Sequence, residues 1–125
     1  MSLNLDRMEW MPSPPLAPDD GPIDIAHLRR MTLGDAALER EVLSMFSTQA
    51  SRLAEELAAL PSNASALAHT LKGSARAVGA FALGDVAAQL ETVIRVGGDT
   101  TEVLNELDDA VTDAKAAIAV VLRQA

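Results

Sequence analysis

The chain has 125 residues, enough for one domain and one core but too short for a kinase that carries its own ATP-binding module. A formal net charge of -8 with no cluster of Lys or Arg argues against nucleic acid, and the absence of Cys excludes disulfides, thiolate catalysis and zinc–thiolate sites. Ala and Leu dominate, and Trp10, Phe46 and Phe81 are the only aromatic residues, a mix that favours helix over sheet.

Residues 1–22 read as an irregular tail. Pro12, Pro14, Pro15, Pro18 and Pro22 forbid a regular helix there and favour extended chain. Met8, Trp10, Met11 and Leu16 leave open a tail that lies along an apolar groove. Met1 to Arg7 lack a basic run followed by an apolar one, so no signal peptide is expected. No apolar stretch approaches the roughly 20 residues of a membrane span. The expected location is the cytoplasm.

A short helix is expected over about 23–30. Gly34-Asp35 then opens a long helix to about Leu60, with Asp35 as its cap. Leu38, Val42, Met45, Phe46, Gln49, Leu53, Leu57 and Leu60 recur at steps of three and four. Pro61-Ser62-Asn63 breaks this helix, and Ser62 or Asn63 can cap the next, which runs to about Gly79. A tight turn at Gly79-Ala80-Phe81 leads to a helix over about 83–96, with Leu83, Val86, Ala87, Leu90, Val93 and Ile94 on its apolar face. Gly97-Gly98 ends it. Asp99 and Glu102 have capping-box spacing before the last helix, which runs to about Arg123 on Leu104, Leu107, Val111, Ala114, Ile118 and Val121. The expected fold is all-α: an antiparallel up-down four-helix bundle over 23–125 with a short N-terminal helix and a Pro-rich tail.

One segment carries chemistry, Leu67 to Ala80. With His69 at zero on a helical wheel, Leu67, Leu71 and Val78 lie at roughly 160°, 200° and 180°, the buried side. On the side of His69 lie Lys72 at roughly -60°, Gly73 at roughly +40° and Arg76 at roughly -20°. Lys72 offers a positive charge one turn away. Gly73 costs about 1 kcal/mol relative to alanine inside a helix, and it leaves space beside the imidazole. No acidic residue occurs from Leu57 to Gly84, so the local field reads as positive and suited to a dianion. An exposed imidazole titrates near neutrality, which leaves a ring nitrogen free to attack phosphorus. Phosphoryl transfer then rests on positioning and charge, with no metal or general base required from this chain. On the residues alone, a surface histidine without a role remains open.

His69-Thr70-Leu71-Lys72-Gly73-Ser74-Ala75, followed by Val78-Gly79-Ala80, closely resembles the core motif of the histidine-containing phosphotransfer (HPt) family. The helix pattern from about Ile23 onward is similar too, including Gly34-Asp35 and Gln89-Leu90-Glu91. The resemblance implies a phosphorelay intermediate between aspartates of response-regulator receiver domains, fed by a hybrid or sensor histidine kinase and without autokinase activity. It implies His69 as acceptor, Lys72 as charge stabiliser, Gly73 as the clearance for the incoming group and Ser74 as an orienting residue. It places Gln89 near the imidazole and makes Arg76, Gln49, Phe46 and Met45 candidates for the docking surface, although Phe46 and Met45 equally suit the core. No cofactor of its own is expected. Mg2+ is expected in the partner receiver domain, and the chain is expected to be a monomer.

Two other classes are weighed. A sensor-kinase dimerisation domain carries an acidic residue after the His and a Pro five positions on, where this chain has Thr70 and Ser74. A helical interaction module without phosphoryl chemistry would function without His69. A bundle metal site lacks ligands, since His27 and His69 are the only histidines and His27 reads as a surface residue.

Overall fold

The computed structural model describes residues 21–124. The expected tail therefore lies, apart from Gly21 and Pro22, outside the described residues. Five helices follow: α1 (Ile25–Met31), α2 (Ala36–Ala58), α3 (Ala64–Val78), α4 (Phe81–Arg95) and α5 (Thr101–Arg123). α2 packs on α3 and α5, and α4 packs on α3 and α5, so the four long helices close into an antiparallel bundle. α1 lies against α3 at one end.

The turns explain the order. Asp35 accepts the Leu38 N–H at 3.1 Å and starts α2. Asn63 begins α3 without a side-chain cap. α3 ends on Gly79, which stands at φ +90°. There the Ala80 N–H donates to the Ala75 carbonyl at 2.8 Å and the Gly79 N–H to the Arg76 carbonyl at 3.3 Å, a Schellman ending. Only Gly79 and Ala80 separate the two helices, so α4 starts two residues earlier than the apolar pattern suggests. A Cβ on Gly79 would also stand 2.8 Å from the Asp24 carbonyl oxygen. The Asp24 N–H donates to the Gly79 carbonyl at 2.9 Å, and this docks the start of α1 onto the α3–α4 turn. His27 completes that joint. Its Nε2 lies 3.3 Å from the Ala77 carbonyl and its ring packs edge-on against Phe81. It is a half-buried packing residue rather than a surface one.

The core differs from the expected stripe in α2. Leu43, Phe46, Ala50, Leu53 and Leu57 are buried, while Leu38 and Met45 are exposed and Leu60 lies beyond the helix end. The expected and observed stripes share Phe46, Leu53 and Leu57. In the N-terminal part of α2 the expected Leu38, Val42, Met45 and Gln49 each lie one residue, roughly 100°, from the buried Glu39, Leu43, Phe46 and Ala50, and both stripes satisfy three-four spacing. The one that wins contains Ala50 and Glu39, which an apolar pattern passes over. Glu39 is buried with its carboxylate 3.7 Å from Arg29 Nε. In α5, Val103 rather than Leu104 is the buried residue of the first turn. Asp99 acts from just outside that helix: its carboxylate accepts the Thr101 N–H at 2.9 Å, and this bond holds its carboxyl below the ordinary range. Thr100, not Asp99, occupies the cap position, so the expected capping box does not form in its simple register. At the far end, Arg40 donates to the carbonyls of Leu122 at 2.7 Å and Gln124 at 3.2 Å, satisfying acceptors the helix leaves open.

α1 ends in the same way as α3 but without the glycine. The Gly34 N–H donates to the Arg29 carbonyl at 2.9 Å, and Leu33 takes the left-handed position at φ +55°. Leu33 is 93% exposed, so no packing repays that strain. Leu33→Gly is expected to stabilise the fold by about 0.5–1 kcal/mol, because the relief of left-handed strain exceeds the added freedom of the unfolded chain. Urea unfolding measures it, and an unchanged or lower midpoint would count against strain at this turn.

Candidate functional site

The site begins with how closely α3 and α4 approach. Ala64, Ala68, Ala75, Ala80 and Ala87 are all buried. A Cβ on Gly84 would stand 2.9 Å from Arg76 Cγ and 3.6 Å from the Lys72 carbonyl oxygen. With so little side chain between them, the two backbones come together. A long side chain from α4 then reaches past the seam to the outer face of α3.

That side chain is Glu91. It is buried at 4% exposure, and three donors converge on its carboxylate. His69 Nδ1 lies 3.0 Å from Oε2, Arg95 Nη2 lies 2.8 Å from the same oxygen, and Lys72 Nζ lies 2.9 Å from Oε1. The hydrogen bond from Lys72 is the largest influence and lowers the Glu91 carboxyl pKa. Burial opposes it, and His69 and Arg95 reinforce it, leaving Glu91 below the ordinary glutamate range. Glu91 is therefore ionised and can only accept. The proton of a neutral His69 consequently sits on Nδ1, and the lone pair sits on Nε2. The His69 side chain is 64% exposed, so that nitrogen is accessible to a partner.

The remaining candidates fall around this centre unevenly. Lys72 is beside His69, but its ammonium is engaged by Glu91 and only 23% of its side chain is exposed. A Cβ on Gly73 would meet nothing within 4 Å, so the space beside the imidazole is open. Arg76 lies over Gly84 and stands 3.6 Å from Asp85 Oδ1. Ser74 is turned roughly 140° from His69. It lines a groove of about 430 Å³ between α2 and α3 with Val42, Met45, Phe46, Gln49 and Arg52. Phe46 is 4% exposed and forms part of the core beneath that groove, whereas Met45 is exposed at 66%. Gln89 is exposed on α4, and among the described residues no side-chain hydrogen bond joins it to the imidazole. It lies roughly 200° around the helix from Glu91. The hydrogen bond expected from Gln89 is made by Glu91 instead.

Two residues at this centre escaped the sequence reading, Glu91 and Arg95. Glu91 had a signal. It follows Ala87 by four and precedes Ile94 by three, so it is an acid within an apolar stripe. The positive field read from residues 57–84 is corrected in the same stroke, because folding brings a carboxylate to within 3.0 Å of the histidine. Two cations still outnumber it. A second depression, between α4 and α5, has Glu106, Asp109 and Asp113 on its wall and includes none of these residues. Among the described residues no group of three His or acidic side chains could hold a metal ion.

The family model for the Hpt domain matches residues 41–117. The chain belongs to the Hpt domain family. No curated protein and no solved structure gives a match. The Hpt domain is a histidine phosphotransfer module of two-component phosphorelays, a relay rather than a kinase, and its partners are two-component kinases and receiver domains. The matched span contains α3 and α4 whole, and with them the Glu91 cluster. No helix among the described residues of this Hpt domain is long and apolar enough to cross a membrane.

Two outcomes are expected of this arrangement. Nitrogen-15 NMR of the neutral His69 ring should show Nδ1 protonated and Nε2 bare, and Glu91→Gln should mix the tautomers, since an amide can donate as well as accept. A mixed population in the wild type would undo the assignment. The Glu91 carboxyl is lowered on folding, so its ionised form contributes stability above the ordinary glutamate range, and that contribution is lost as pH falls through the lowered value. The stability gap between wild type and Glu91→Gln should therefore be level near neutrality and narrow in acid below the ordinary glutamate range. Chemical denaturation across that window measures it.

Proposed function

We propose that His69 of this Hpt domain takes a phosphoryl group from an aspartate of one receiver domain and gives it to an aspartate of another response regulator. The observation that supports this most is the exposed imidazole whose Nδ1 is held by the buried Glu91, leaving Nε2 outward. Nε2 forms the new N–P bond with its lone pair. The P–O bond to the donor aspartate breaks, and its electron pair returns to that carboxylate. The ring keeps its proton on Nδ1 and becomes cationic, and Glu91 stabilises that charge as it develops, as a buried carboxylate does for a catalytic imidazolium. No proton has to leave. The reverse steps deliver the group onward.

Lys72 supports this reading through Glu91, holding Oε1 so that Oε2 faces the imidazole, and its charge adds to the field at the phosphoryl group. Gly73 leaves the clearance a receiver's aspartyl phosphate needs. The groove between α2 and α3, with Met45 and Gln49 on its wall, is the adjoining apolar surface on which a receiver helix can rest, and Arg76 adds a polar contact. Mg2+ bound in the receiver supplies the charge for the leaving and accepting carboxylates, and this chain acts without a cofactor, as a cytoplasmic monomer that does not phosphorylate itself from ATP.

His69→Gln should abolish phosphoryl acceptance from a phosphorylated receiver domain while the bundle melts as before, because the side chain lies off the core. A labelled His69→Gln protein would end this reading. Gly73→Leu should reduce transfer at least tenfold by filling the open space, with acceptance from a small phosphodonor reduced less. Transfer at the wild-type rate from a receiver would show that the gap is not used.

A further inference from the structure

We infer that Arg95 is the cation that binds the transferred phosphoryl group, by leaving the Glu91 carboxylate as His69 becomes phosphorylated. The inference rests on His69 as acceptor and deepens that reading. Arg95 and His69 share one acceptor, Glu91 Oε2, at 2.8 and 3.0 Å. They also share one shallow cleft, lined by Ser65, His69, Thr70 and Arg95. Arg95 Nε reaches Ser65 Oγ there at 3.4 Å. The guanidinium thus rests one helical turn before the histidine, on the side away from Lys72.

The two cations differ in freedom. Lys72 is 23% exposed and sits alone on Oε1, whereas Arg95 is 66% exposed and sits on the oxygen it must share. While the imidazole is neutral, Oε2 can accept from both neighbours. Attack by Nε2 changes this. The ring becomes cationic with its Nδ1–H still on Oε2, so that bond becomes charge-assisted at both ends, and the ring now repels the guanidinium beside it. At the same moment a group with several anionic oxygens appears on Nε2, at the edge of the cleft Arg95 lines. A guanidinium offers paired donors to two such oxygens. Arg95 is mostly in water, so its move exposes no core, while moving Lys72 would strip the buried Oε1 of its partner. The exchange leaves every charge paired: imidazolium and Lys72 on Glu91, Arg95 on the phosphoryl group.

Potassium phosphoramidate tests this without a partner protein. His69 attacks its phosphorus, the P–N bond of the donor breaks, and ammonia leaves. On phosphorylation of the wild type, the Nε–Hε resonance of Arg95 should shift, and His69→Gln treated alike should show no shift. Arg95→Ala should be phosphorylated about tenfold more slowly, the scale of one lost hydrogen bond to a charged group. Arg95→Lys should recover part of the rate, and Arg95→Ala should retain the Nδ1–H tautomer. A phosphorylated wild type with an unmoved Arg95 resonance, or Arg95→Ala at the wild-type rate, overturns the inference alone. A slow Arg95→Ala with an altered tautomer overturns it too, because Arg95 would then act only through Glu91. A wild type that takes no phosphoryl group removes the acceptor role of His69 and this inference together.

Discussion

α3 and α4 meet along a seam of alanine and glycine, and the site depends on that closeness. Ala68 and Ala75 from one helix and Ala87 and Gly84 from the other leave the backbones little to separate them. Small residues contribute little apolar area each, so the seam adds less burial energy than leucines would. It supplies proximity instead. The two-residue turn at Gly79-Ala80 fixes the register of the pair, and register decides which α4 side chain arrives opposite His69. A slip of one residue would turn Glu91 by roughly 100° and bring a neighbour to the imidazole.

Burying a carboxylate is costly unless its oxygens are satisfied and its charge is matched. Glu91 meets both conditions: each oxygen has a donor, and two of the three donors are cations. The balance favours the anion, as the lowered carboxyl pKa shows. The consequence for His69 is positional and electrostatic at once. One acceptor fixes the ring, selects the tautomer and sets a negative charge beside it, where the proposed phosphorylation would create a positive one. A glutamine at this place could hold the ring but would neither select one tautomer nor offer a charge.

Much of the architecture was readable from three-four spacing, and its errors have physical causes. α3 was placed within a few residues because Pro61 and Gly79 bound it, and the outward angle of His69 followed from the buried Leu71 and Val78. In α2 Phe46, Leu53 and Leu57 were in the buried stripe as expected, but its N-terminal part was placed one residue off because alanines and leucines populate two adjacent faces, and a buried Glu39 disguises the true one. Gln89 was assigned to the imidazole from a motif, which gives order along the chain but not facing across a helix pair. Glu91 needed the α3–α4 register. Arg95 needed it as well, since an exposed arginine near a helix end has an ordinary explanation in the helix dipole.

The contrast between the exposed histidine and the buried glutamate bears on how a relay must be built. A relay has to form a phosphohistidine and then surrender it, so neither side of the exchange can be held too firmly. Excess stabilisation of the phosphorylated ring would trap the group, because binding a state more tightly deepens the well from which transfer must climb. Here Lys72 is committed to Glu91 rather than aimed freely at phosphorus, and the freer Arg95 is compensated by the same carboxylate before transfer. Whatever a cation gains at the phosphoryl group is offset by what it gives up at Glu91. On the proposed role of His69, the same small set of charges would serve transfer to the ring and transfer away from it.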